Sequence, residues 1–244
     1  MRPTRGRTVE RDLRAIVNRE ALRQPKHAYL DEVLEHLKVT PPKQARSIET
    51  VTRLLDAAEK VLAEEGLDAA TVPAIAARAG VSVGVVYRRF PDKDALLRAV
   101  WQRFLVRQRE QTTTTLAACS AMRIALPDLV HALIRGSIEG HRRLRGLLRA
   151  LHQYSRAHPD KTFKRTAHEL NRANTAVLTA IMLRNRDQIA HPDPERAIEF
   201  AMLVIASVIE SVIIEDEGSH GLRAPDNLEQ ELTRMVLGYL GIEA

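Results

Sequence analysis

The sequence has little of what enzymes and secreted proteins rely on. With one cysteine, Cys119, no intramolecular disulfide can close, and a reducing cytoplasm is the simplest setting. There is no H-E-x-x-H and no G-x-x-x-x-G-K-[ST] phosphate loop, and the one G-x-S-x-G, Gly80-Val81-Ser82-Val83-Gly84, falls between two helical runs where the hydrolase elbow needs a strand before it. A helical di-iron site would need two E-x-x-H pairs on helices. Only Glu217-Gly218-Ser219-His220 has that spacing, and it sits in a glycine-serine loop. No enzyme, cofactor or metal is therefore expected. The basic start MRPTRGRTVERDLR lacks the apolar segment of a signal peptide, and the longest apolar run, Ala201 to Ile214, is interrupted by Glu210. No membrane partner is expected either. Strand-like alternation and internal repeats are missing too, which leaves an all-α fold.

What is present belongs to a folded, mildly basic protein. Of 244 residues, 45% are hydrophobic and 28% charged, enough to bury a core in two domains. Lys and Arg number 37 against 31 Asp and Glu, a formal charge of +6 that suits a polyanion and equally a solvated basic surface.

Leu13, Ile16 and Val17, then Leu30, Val33, Leu34 and Leu37, recur at helical spacing and predict two short amphipathic helices before Pro41 and Pro42. The stretch KVTPPKQARS reads as a linker carrying Lys43 and Arg46 as a basic arm. From Glu49 the positions Val51, Leu54, Leu55, Ala58, Val61 and Leu62 predict a helix ended by Gly66. Thr71 is placed to cap a second helix, Val72 to Ala79, and Gly80-Val81-Ser82 a turn into a third that ends near Phe90. Pro91 stops that helix, and Asp92 is placed to cap a long fourth beginning at Lys93. Every later segment keeps apolar residues three and four apart.

Two short helices joined by a glycine-containing turn form a helix-turn-helix, whose second helix lies in the DNA major groove. Val86 and Phe90 tie the third helix to the core, which leaves Ser82, Val83, Val85, Tyr87, Arg88 and Arg89 facing outward or sideways. Gly84 lets the backbone approach DNA, and the methyls of Val83 and Val85 can pack on thymine methyls. Arg88 or Arg89 could reach guanine or a phosphate. Tyr87, Thr71, Ser82 and Lys93 suit phosphate oxygens. The competing readings are a compact three-helix element with a solvated basic face and a module used for protein contact.

The run RLLDAAEKVLAEEGLDAATVPAIAARAGVSVGVVYRRFPDKDALL resembles the DNA-binding domain of the TetR family of bacterial repressors. The signature falls on Ala57-Ala58, Gly66, Thr71-Val72, Ile75-Ala76, Ala79-Gly80-Val81-Ser82, Gly84, Tyr87, Phe90, Lys93 and Leu96. Arg89 stands where an aromatic or histidine is common, and Val85 where threonine is usual. The resemblance implies an N-terminal helix-turn-helix domain over residues 47–97, after a basic extension of residues 1–46, and a larger helical ligand-binding and dimerisation domain over residues 98–244. It implies a homodimeric repressor of a palindromic double-stranded DNA operator, released when a small-molecule effector shifts the population toward wrongly spaced recognition helices.

Candidate pocket residues are Trp101, Phe104, His131, His152, His168, Asn171 and Asn174, with Arg142, Arg143 and Arg145 as a basic cluster that could hold an anion or simply face solvent. Candidate dimer residues form two stripes: Ile198, Met202, Ile205, Ile209, Val212 and Ile213, and Leu232, Met235, Val236 and Tyr239. Packing within one subunit would produce the same stripes.

Overall fold

The computed structural model describes residues 45–121, 124–158, 162–214 and 225–243, and among them every regular element is helical. The two expected N-terminal helices, Lys43 and the Glu217–His220 loop lie outside the described residues. The described residues divide into two compact units, one drawn from residues 45–110 and 144–168, the other from residues 111–143 and 169–243.

The first unit contains the helix-turn-helix. Helix α1, Ala45–Glu65, begins before Glu49, so Arg46 sits in its first turn instead of in a linker. Its inner face is the expected one: Val51, Leu54, Leu55, Ala58, Val61 and Leu62 are all buried. Gly66 ends it at φ 86°, a left-handed conformation that a Cβ would strain. Helix α2, Val72–Ala79, starts at Thr71, whose Oγ1 accepts the Ala74 amide at 3.3 Å. Gly80, at φ 65°, then turns the chain, and its amide donates to Ala77 O at 3.1 Å.

Helix α3 is only Val83–Tyr87. Arg88, Arg89 and Phe90 follow in a tight turn, their amides bonded to Gly84 O and Val86 O at 2.9–3.2 Å. The turn forms there because Phe90 is fully buried and Pro91 cannot continue a helix. Helix α4, Lys93–Ala121, is capped by Asp92, which accepts the Ala95 amide at 2.7 Å. Burying Val86, Phe90 and Leu96, each no more than 1% exposed, contributes about 1.5–3 kcal/mol per side chain.

A charged cluster fastens α4 to α1. Arg103 is wholly buried and reaches Asp56 with Nη1 and Glu59 with Nε, both at 2.7 Å, while Arg107 grips Glu59 at 2.6 Å. Such a cluster selects one register of two helices more than it adds net stability, since each ion loses its water. Helix α5, Leu126–Ala157, approaches α1 closely at Gly146, where a Cβ would lie 2.0 Å from the Ala63 carbonyl oxygen.

In the second unit lie the first half of α5, most of α6 (Thr162–Met182), the 3-10 turn Leu183–Gln188, α7 (Pro194–Ile209) and α8 (Leu228–Leu240). Asp193 caps α7 by accepting the Arg196 amide at 3.3 Å. Ala197, Ile198, Ala201, Ile205 and Ile209 form the buried side of α7, and Leu228, Leu232, Val236 and Leu240 that of α8. A π-helical turn, Glu210–Ile214, extends α7. Pro194–Ile214 is therefore one winding of 21 residues, long and apolar enough to cross a bilayer by length and composition, with 39% of its most apolar stretch buried. This corrects the expectation that no apolar run reaches the length needed to cross a bilayer: Glu210 interrupts the apolar sequence but lies exposed on a winding that continues past it. The buried isoleucines are what a core helix of a globular protein also presents.

Candidate nucleic-acid interface

The helix-turn-helix sorts its residues by chemistry. Val72, Ile75, Ala76, Val86 and Phe90 are buried, and small Ala76 lets α2 and α3 meet closely. On the other side Thr71, Ser82, Val83, Gly84, Tyr87 and Arg88 are exposed, with Val85, Arg89 and Lys93 half-buried. Tyr87 is 53% exposed and Val83 38%, large apolar surface for so short a helix, and each stands beside a polar neighbour. A face that mixes methyls, a phenol, hydroxyls and a guanidinium matches the mixed chemistry of a major groove and its phosphates.

Three details refine the sequence reading. Ser82 has the extended backbone of an N-cap, φ −76° and ψ 154°, yet makes no side-chain capping bond, so its hydroxyl is not committed to the helix. Arg89 is half-buried and engaged within the chain, whereas exposed Arg88 projects from the turn after α3. Gly84 has an ordinary helical backbone, and a Cβ there would meet only Ser82 Oγ, at 4.0 Å. Nothing inside the protein requires glycine at that position.

Two further groups brace this face. Arg78 on α2 pairs with Glu64 at 2.5 Å and Glu65 at 2.7 Å at the end of α1, and those carboxylates hold its guanidinium above the ordinary range. Asp94, in the first turn of α4, accepts from Tyr154 Oη at 2.5 Å, His158 Nε2 at 3.0 Å and Arg98 Nη2 at 2.5 Å. Burial, and then the bond to Asp94, pushes the Tyr154 hydroxyl far above the ordinary tyrosine range.

The remaining expected site residues are dispersed. Trp101 and Phe104 are buried; His152 is half-buried and already engaged within the chain; His168 and Asn171 are exposed, and Asn174 is half-buried. His131 bonds Glu229 on α8 at 2.9 Å, and Glu229 also faces Arg135 at 3.9 Å. In the basic cluster, Arg142 and Arg143 are exposed while Arg145 is half-buried and engaged.

Among the dimer candidates, Ile198, Ile205, Ile209, Ile213, Leu232 and Val236 are buried within their own chain, and Met202 and Val212 are half-buried. Met235 and Tyr239 are 42% and 40% exposed, and beside them on α7 are Phe200 at 51% and Leu203 at 61%. The Phe200 and Tyr239 rings meet tilted, centroids 5.5 Å apart, with His191 likewise tilted against Tyr239 at 5.1 Å. Periodicity passed over Phe200 and Leu203 because α7 is apolar on nearly every side, so spacing alone cannot say which side turns inward.

The chain matches two family models: bacterial regulatory proteins of the tetR family over residues 54–100, and a tetracyclin repressor-like C-terminal domain over residues 125–240. An uncharacterized HTH-type transcriptional regulator of Mycobacterium tuberculosis is 40% identical over 85 residues, which is 35% of this chain and 44% of that one. This chain thus aligns with less than half the length of its mycobacterial relatives. The HTH-type transcriptional regulator BetI of Vibrio atlanticus is 27% identical over 76% of this chain and 86% of its own. In fold, the chain resembles a TetR-family regulator of Mesorhizobium loti, with TM-score 0.58, 19% identity, and coverage of 81% and 96% of the two chains. It also resembles SmeT in its triclosan complex, with TM-score 0.55, 22% identity, and coverage of 78% and 90%. With the helix-turn-helix domain and the C-terminal domain both matched, the chain belongs to the TetR family of transcriptional regulators.

Proposed function

We propose that two copies of this chain bind a palindromic duplex operator through paired α3 helices, repress transcription by occupying it, and leave it when a small molecule binds. The observation that carries this reading is the exposed set on and around α3: Ser82, Val83, Gly84, Tyr87 and Arg88 turn outward while Val86 and Phe90 hold the helix from behind. Thr71 and Lys93 flank that set and reach phosphates, and Val83 and Val85 contact base methyls. Lys43 and Arg46 remain candidates for contact with the DNA backbone or minor groove by virtue of their charge and their place in the sequence before the helix-turn-helix.

Dimerisation is supported by Phe200, Leu203, Met235 and Tyr239, four large apolar side chains exposed together on α7 and α8. A second copy would cover them by the same surface, giving an isologous contact. The operator then needs half-sites about 34–36 Å apart. Release by a small apolar ligand is supported by the likeness to SmeT, solved with triclosan. Trp101, Phe104, His131, His152, His168, Asn171 and Asn174 remain the residues to probe for ligand contact.

Selection of fragments of the source genome by the purified protein, with and without candidate small molecules, tests the reading. Recovered duplexes should carry inverted repeats and bind with an affinity that falls steeply as salt rises, through counterion release. Enrichment of no duplex at moderate salt, or binding indifferent to salt, would sink it.

A further inference from the structure

We infer that Tyr154 and His158, at the C-terminal end of α5, are positioning residues for DNA binding: by holding Asp94 they fix the first turn of α4, and with it Lys93 and the recognition helix just upstream. This inference rests on the operator-binding reading above.

The geometry is a carboxylate surrounded by donors. Asp94 Oδ1 accepts from Tyr154 Oη at 2.5 Å and from His158 Nε2 at 3.0 Å, and Oδ2 pairs with Arg98 at 2.5 Å. Tyr154 is 7% exposed, so the first of these bonds lies where water competes little and a lost partner is costly. The two α5 side chains also order each other: their rings lie 5.3 Å apart, and the His158 amide donates to Tyr154 O at 3.0 Å. Charge-assisted bonds of this kind are directional, and two from one helix end define both where Asp94 sits and how α4 is rotated there.

That placement matters because of what adjoins Asp94. Lys93 is the preceding residue, and between it and buried Phe90 stand only Pro91, with its fixed φ, and Asp92, already committed to capping α4. A rotation of the first turn of α4 therefore passes into α3 with little slack. Electrostatics gives a second reason. A bare carboxylate beside Lys93 would repel an approaching phosphate and draw the lysine to itself; the ion pair with Arg98 and the hydrogen bonds from α5 weaken that field. A ring that merely fills space would do neither.

A double-mutant cycle on operator affinity separates positioning from packing. The probe is the tightest genomic duplex recovered by the wild-type protein, and the proteins are wild type, Tyr154→Phe, His158→Phe, Lys93→Ala, and each α5 variant combined with Lys93→Ala. The first two single variants should each weaken binding about fivefold to tenfold. Their losses should fall well short of additive with that of Lys93→Ala, because part of their effect runs through Lys93 and the rest through α3. A packing role would lower the melting temperature while the folded protein bound as before. Unchanged affinity in Tyr154→Phe and His158→Phe, or losses fully additive with that of Lys93→Ala, would overturn the inference while the operator reading stood. A wild-type protein that recovers no duplex would remove both. Should Tyr154→Phe fail to fold, the His158→Phe cycle decides alone.

Discussion

The helix-turn-helix and the α7–α8 pair expose opposite surfaces. The first mixes the methyls of Val83 and Val85 with hydroxyls, a phenol and a guanidinium; the second shows Phe200, Leu203, Met235 and Tyr239. A polar face stays wet when unoccupied and lets its partner come and go, whereas exposed rings and aliphatic chains ask for permanent cover. Under the proposed function, the contrast suits a reversible partner at α3 and a lasting one at α7 and α8.

The contrast can be broken at four points. The largest effect is expected from Arg103→Ala, which takes from Asp56 its arginine and leaves Glu59 to Arg107 alone, and should cost about 3 kcal/mol of stability, the low end for a buried pair because Asp56 stays wet and Glu59 keeps one partner. Denaturant melts would show it, and a loss under about 1 kcal/mol would mean the cluster is ornamental to the fold. Next, Leu203→Glu places a charge in the exposed α7 surface and should raise the dimer dissociation constant by about a hundredfold, seen by sedimentation, while secondary structure persists. If the variant stayed dimeric, the lasting partner would have to bind elsewhere.

Arg88→Ala should weaken operator binding by about 1–3 kcal/mol. A phosphate contact would also lower the salt slope by about one, whereas a guanine contact would relax preference at one base pair instead. The smallest effect is the most discriminating. Gly84→Ala should raise stability by about 0.5–1 kcal/mol, since its Cβ meets open space within the protein, yet it should weaken operator binding. If stability and binding rose together, α3 would not approach its partner by the backbone.

These regions differed equally in how far the sequence disclosed them. Around α2 and α3 the determinants are local: a cap at Thr71, a left-handed glycine at position 80, a proline at 91, and apolar residues at helical spacing. Such signals survive without tertiary context, so the helix-turn-helix and its exposed face were legible. Two local details were not. Ser82 has the residue type and backbone of a cap but not the bond, and α3 closes at Tyr87 because burial of Phe90 draws the chain into a turn.

Elsewhere the determinants are distant in the chain. Asp56 and Arg103 are 47 positions apart, and Asp94 and Tyr154 are 60 apart, and no periodicity points from one to the other. In α7 the difficulty is excess: with isoleucine, leucine, valine and phenylalanine on most sides, spacing finds a helix but not its inner face. Ile198 and Ile205 faced inward, Phe200 and Leu203 outward, and only packing against α8 decides that.

The near-touch of Gly146 and Ala63 has a mechanical corollary. Where two helices meet with no side chain between their backbones, sliding would drive carbonyl into carbon, and separation would open a gap too narrow for water. Swivelling about the contact is the motion left over. Position 146 is thus closed to any side chain, and even alanine there would force α5 away from α1.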